Sequence, residues 1–186
     1  MSRRWAAAAV GGLAGLAAAA FAAFAAPAGA TQTPTQRFFT ERLLADKGTS
    51  DEIVGLLRSA GAFVDRSVRF TDLTGDKRAD AVVRVQTGGV AGTIAIYVFS
   101  TDTGKGKDAP LSVVFRTESL ERAETRIRDG VVRYRTARYA PGDERCCPAA
   151  EAESRLRWRD AKHRFEVVER RRVVPGDLWG DQLPPT

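Results

Sequence analysis

The 186-residue chain has no asparagine, one histidine, one methionine and two cysteines. The missing asparagine leaves no acceptor for N-linked glycosylation, and in a chain rich in Ala, Arg, Val and Gly it fits a GC-rich coding bias, so part of the arginine content is compositional. The lone histidine, His163, reads more readily as an exposed strand residue than as a general base. Around the serines there is no Gly-x-Ser-x-Gly elbow, and no Ser-x-x-Lys pair or His-Glu-x-x-His helix occurs. Thr103-Gly-Lys-Gly-Lys107 is a flexible basic loop without the P-loop pattern. Two cysteines are too few for a disulfide scaffold, and a chain of this length buries a core without one.

What is present begins with an export signal. Arg3 and Arg4 precede an apolar Ala/Leu/Phe stretch, Trp5 to Ala26, which closes on Pro27-Ala28-Gly29-Ala30, a small-x-small cleavage site. We expect residues 1–30 to be removed, leaving no membrane span and a mature chain exported to the cell envelope or beyond. Loss of Arg3 and Arg4 lowers the formal net charge from +6 to +4. Residues 31–35 read as a loose lead-in, 36–170 as a single domain, and 171–186 as a C-terminal tail.

The domain reads as α+β, with two N-terminal helices packed on a curved, largely antiparallel β-sheet. The first helix covers about Gln36 to Asp46, with Phe38, Phe39, Leu43 and Leu44 facing inward. In the second, Thr49-Ser-Asp-Glu52 matches a capping box, Ile53, Leu56, Leu57 and Ala60 form one stripe, and Gly61 is a natural stop. Strand patterns follow at Phe63–Phe70, Ala79–Gln86, Thr93–Ser100, Leu111–Thr117, Ala123–Arg128, Val131–Arg138, Ser154–Arg159 and His163–Glu169. The connections between them are mostly too short for parallel crossovers.

Three stretches carry candidate chemistry. If Asp129-Gly130 is a two-residue turn, one face of its hairpin holds Glu124, Arg126, Arg128, Arg133 and Arg135, and the other holds Thr125, Ile127, Val132 and Tyr134. The second face is core. The first reads as a basic ribbon, continued by Arg155, Arg157 and Arg159, and suited to an acidic envelope polymer or another envelope protein. The plainer reading is a solvated face, and without interleaved aromatic residues nucleic acid is not expected. Next, Asp72, Thr74, Asp76 and Asp80 stand at alternating positions of a tight acidic stretch whose oxygens could converge on Ca²⁺. Otherwise these aspartates bond their own backbone and hold a turn. This stretch resembles the calcium turn of FG-GAP or VCBS repeats, with Thr74 in place of Asn or Asp, Lys77 in place of Gly, and a single copy. Val83 holds the twelfth position, which excludes an EF-hand.

Cys146 and Cys147 are adjacent. Neighbouring Cα atoms lie ~3.8 Å apart across a trans peptide, below the ~4.4–6.8 Å of ordinary disulfides, so a bridge between them distorts the local backbone and shapes only its own loop. It would also be more reducible than a structural disulfide, which allows a redox-responsive role. A disulfide between two chains, free thiols, or a metal site completed by His163 are the other readings, although zinc favours Cys-x₂-Cys spacing. His163 itself reads as an exposed strand residue between two cations. A hydrolase built from scattered carboxylates leaves no linear signature; no catalytic residue is assigned.

The order "DLTGDKRADAVVRV", "GGVAGTIAIYVFS", "RYAPGDERCCPA" and "LRWRDAKHRFEVV" resembles the LppP/LprE-type proteins of actinobacteria over about Asp65 to Val168, with Cys146-Cys147-Pro148 its most specific part. The lipobox cysteine typical of that family is absent, and Ala149 stands where serine is usual. The resemblance implies an exported actinobacterial envelope protein, with no catalytic residue to carry over. The sequence-based expectation is a secreted, envelope-associated binding module.

Overall fold

The computed structural model describes residues 32–106 and 109–180, so the expected signal segment lies outside the described residues. Two helices, α1 (Pro34–Ala45) and α2 (Asp51–Arg58), precede nine strands: β1 (Ala62–Val64), β2 (Arg69–Thr71), β3 (Asp80–Thr87), β4 (Thr93–Ser100), β5 (Ser112–Thr117), β6 (Glu124–Arg128), β7 (Val131–Arg138), β8 (Ala150–Arg159) and β9 (Arg164–Val173). The class is α+β, as expected, with all strand pairs antiparallel. The strands form two sheets: β1-β3-β4-β5 with β2 also on β3, and the meander β6-β7-β8-β9.

The helices begin where side chains satisfy the first amides. The capping box forms at α1, where the Thr33 hydroxyl accepts from Gln36 N, the Gln36 side chain accepts from Thr33 N, and Pro34 follows. Thr33 and Pro34 therefore belong to an ordered helix start and not to a loose lead-in. At α2 the cap is Ser50, one residue later than expected, because its hydroxyl reaches Ile53 N while Thr49 turns back to Asp46. That helix stops before Gly61: Ala60 takes the left-handed conformation (φ 57°) and is exposed.

The expected strand Phe63–Phe70 is two strands, with a corner between them. The Asp65 carboxylate accepts from Ser67 N and also holds the side chains of Arg84 and Gln86. The chain therefore turns at Asp65, β1 pairs with the far end of β3, and β2 pairs with its start.

Three layers result. Phe39, Leu43, Ile53 and Leu57 of the helices pack on Val83, Val85, Ala95, Tyr97 and Phe99 of the first sheet. The opposite face of that sheet, with Val82, Ile96, Val98 and Val114, packs on Val132, Tyr134, Leu156 and Phe165 of the second sheet. β4 lies between both cores and is buried at every position, which explains its unbroken apolar run. No helix among the described residues is long and apolar enough to cross a membrane.

Candidate functional site

The β6-β7 hairpin has the register read from its turn: Glu124 opposes Arg135, Arg126 opposes Arg133, and Arg128 opposes Val131. Asp129 and Gly130 both have positive φ, the backbone that a twisted two-residue hairpin requires. The arginine face, however, is divided. Arg128 is exposed and Arg126 half-buried, and they line a hollow of about 170 Å³ with Arg133 and Arg155. Arg133 and Arg135 are buried, which corrects the expectation of one solvent-facing basic ribbon.

What buries them is Glu153, which the β7-β8 register places directly across from Arg135. Its carboxylate accepts from Arg135 (2.8 and 2.9 Å), Arg133 (3.1 Å), Arg171 (2.9 Å) and the Gly180 amide (3.0 Å). Burial alone would raise the Glu153 carboxyl, but the bonds from Arg171, Arg135 and Gly180 outweigh it and hold the group below its ordinary range. The segment after β9 closes this face. Arg135 donates to the carbonyls of Asp177 and Leu178, and its guanidinium lies 4.4 Å from the Trp179 ring centroid. Residues 171–180, expected as tail, thus include the end of β9 and a cover for the Glu153 cluster.

The acidic turn between β2 and β3 directs its carboxylates to its own backbone. Asp72 accepts from Gly75 N and Lys77 N, Asp76 from Arg78 N, and Asp80 from Leu73 N and Thr74 N. Lys77 adopts φ 65°, the left-handed backbone that the repeat pattern gives to glycine. Burial pushes the Asp80 carboxyl up, with the Ser100 hydroxyl and the two amides pulling it back. The proposed Ca²⁺ ligands do not gather: among the described residues the only group of three or more metal-ligating side chains brought together is Glu144, Cys146 and Cys147. The geometry matches the turn-holding reading, because backbone amides take both oxygens of Asp72 and one each of Asp76 and Asp80.

Cys146 and Cys147 are at disulfide distance, with Cα atoms 3.8 Å apart and no cis peptide bond. Their loop, which joins β7 to β8, is held independently of the sulfurs. The Asp143 carboxylate receives the amides of Ala140 (2.7 Å) and Ala149 (2.9 Å), clamping both ends of the loop, and these bonds lower its pKa. Tyr139 donates to the Arg145 carbonyl, and Arg122 donates to the carbonyls of Arg145 and Cys146.

Beside that loop lies an open cavity of about 490 Å³, lined by Arg138, Tyr139, Ala149, Ala152, Arg170 and Arg172 among others. Strand register explains it. Thr136 opposes Ala152, which opposes Arg172, and Tyr134 opposes Ser154, which opposes Arg170, so these residues share the inner face of the second sheet. Past Tyr134 that face changes from apolar side chains to small alanines surrounded by arginines. Arg138, Arg170 and Arg172 are exposed and form no ion pair among the described residues. Glu151, paired with Arg135 at 3.6 Å, is the one acidic lining residue, and burial raises its pKa.

His163 occupies a left-handed turn position and bonds Asp102 Oδ1 through Nδ1 at 2.8 Å, a pairing across 61 residues that sequence spacing does not reveal. The pair sets an imidazole against an orienting carboxylate; among the described residues no hydroxyl or thiol is hydrogen-bonded to it.

The fold and site together define an α+β protein with an arginine-lined cavity next to a vicinal cysteine loop. No known family model, curated protein or solved structure matches the chain.

Proposed function

We propose that this protein is an exported, envelope-associated binding module that takes an anionic group in the cavity bounded by Arg138, Arg170 and Arg172. The observation that carries the reading is the contrast in pairing: Arg138, Arg170 and Arg172 border one open cavity and have no ion-pair partner among the described residues, whereas Arg133, Arg135 and Arg171, the last of which also reaches the cavity rim, are held by Glu153. Planar guanidiniums bind phosphate, sulfate or carboxylate with paired hydrogen bonds, and three on one rim favour a charged unit of an acidic envelope polymer. The alanine floor leaves room for a sugar-sized body behind the charge. Export rests on the N-terminal sequence, and the resemblance to LppP/LprE-type proteins supports the same compartment.

Heparin chromatography tests the proposal. The triple variant Arg138→Ala/Arg170→Ala/Arg172→Ala should elute at clearly lower salt than the wild type. Arg37→Ala/Arg58→Ala/Arg66→Ala, an equal charge loss at exposed positions elsewhere, should shift elution much less. Equal shifts would mean that only net charge is being read, and the cavity reading would fail.

A further inference from the structure

Glu144, Cys146 and Cys147 suggest a second site, of a different chemistry. All three are exposed, and one ligand atom from each lies within 4.8 Å of the others; Cys146 Sγ is 3.4 Å from Glu144 Oε2. We infer that the reduced form of this pair, with the Glu144 carboxylate, is a binding site for a thiophilic d¹⁰ metal ion of low coordination number.

The loop's other bonds make this coherent. Asp143 clamps the loop at Ala140 and Ala149, Cys147 N donates to the Glu144 carbonyl at 2.9 Å, and Arg122 and Tyr139 hold the intervening carbonyls. None of these contacts uses the sulfur-sulfur bond, so opening it leaves the three ligand groups gathered on the same turn. Exposure gives both reductant and ion access. Two soft sulfurs from adjacent residues with one carboxylate do not provide the four tetrahedral ligands of a structural zinc site, but they suit an ion content with two or three ligands.

The chemistry balances in two steps. A dithiol reductant transfers two electrons and two protons to the Cys146–Cys147 bond through a mixed disulfide, and leaves as its own cyclic disulfide. The metal ion then displaces the two thiol protons and forms two metal-sulfur bonds.

Copper(I), kept reduced as its acetonitrile complex, provides the probe, because it accepts two or three soft ligands and its thiolate complexes absorb in the ultraviolet. The protein is reduced with a dithiol, desalted without oxygen, and titrated with Cu⁺ while absorbance and size in solution are followed. The expected result is a charge-transfer band that saturates at one ion per monomeric chain and is absent from the oxidised protein. Cys146→Ser and Cys147→Ser should each abolish the band, and Glu144→Gln, which loses a direct ligand, should weaken binding by at least the roughly tenfold that outer-shell partners contribute at other sites. The same band in Cys146→Ser, saturation only at one ion per two chains, unchanged affinity in Glu144→Gln, or no band in the reduced wild type would each overturn the inference. Circular dichroism of the reduced protein before metal is added verifies that it remains folded.

Discussion

The two faces of the β6-β7-β8-β9 sheet use the same residue in opposite ways. On the outer face, Arg133, Arg135 and Arg171 surround a buried glutamate and are covered by residues 177–180. On the inner face, Arg138, Arg170 and Arg172 border an open cavity, whose rim Arg171 and Glu151 also reach from the outer face, and have no ion-pair partner among the described residues. Because neighbouring strand residues point to opposite faces, Arg170, Arg171 and Arg172 alternate between the two roles within three positions. Arginine content alone therefore says nothing about function in this chain; what separates the roles is whether the side chain shares a sheet face with Glu153 and bonds it.

The largest effect should come from breaking the outer cluster. Glu153→Gln removes the central counter-charge of three buried or half-buried guanidiniums, leaving Arg135 with Glu151 at 3.6 Å and Arg133 with Glu169 at 3.8 Å, and should cost about 3 kcal/mol, read as a lowered midpoint in urea unfolding. The same group sets a pH window. Its folded pKa is depressed, so its contribution is fully present above the unfolded glutamate value of about 4.3 and is lost as pH falls through the lower folded value. Unfolding curves at neutral pH and near pH 3 should show that loss in the wild type and a smaller one in Glu153→Gln.

A steric change probes the cover. A Cβ at position 180 would stand 2.7 Å from Glu153 Oε1 and 2.8 Å from Arg133 Nη1, so Gly180→Ala should destabilise by about 1–3 kcal/mol in the same assay. The inner face should behave oppositely: Arg138→Ala, Arg170→Ala and Arg172→Ala should each stay within about 0.5 kcal/mol of wild-type stability while weakening anion binding. If the cavity arginines proved as costly to remove as Glu153, the contrast would collapse.

The smallest effect on the fold belongs to the cysteine loop. Asp143→Ala frees the Ala140 and Ala149 amides and should speed their hydrogen exchange, leaving the protection of β4 unchanged. Acid should do the same in the wild type, since the Asp143 pKa is lowered by those two bonds and the clamp opens as pH falls through it.

Much of this architecture was legible in the sequence where the signal was local. β4 and β7 coincide with their patterns at both ends, and Asp129-Gly130 dictated the hairpin register. Long-range pairing was not legible. Glu153 stands on β8 beyond an 11-residue loop, so nothing near Arg133 and Arg135 announces their burial. Ala150 to Glu153 lack β-branched or aromatic residues, which hid the first half of β8 and with it the floor of the cavity. The Asp102-His163 pair is likewise made by the fold alone. At Phe63–Phe70 an unbroken pattern concealed a corner, because Asp65 offers the backbone a bond that competes with the ladder.

The central claim is tested most directly by mapping where an anion lands. Isotope-labelled protein titrated with a heparin-derived disaccharide should show saturable amide shifts at Ala140, Ala149, Ala152 and Arg172, with little change at Arg126 and Arg128. Saturable shifts confined to the Arg126-Arg128 hairpin, or none at the cavity at any concentration, would contradict the account.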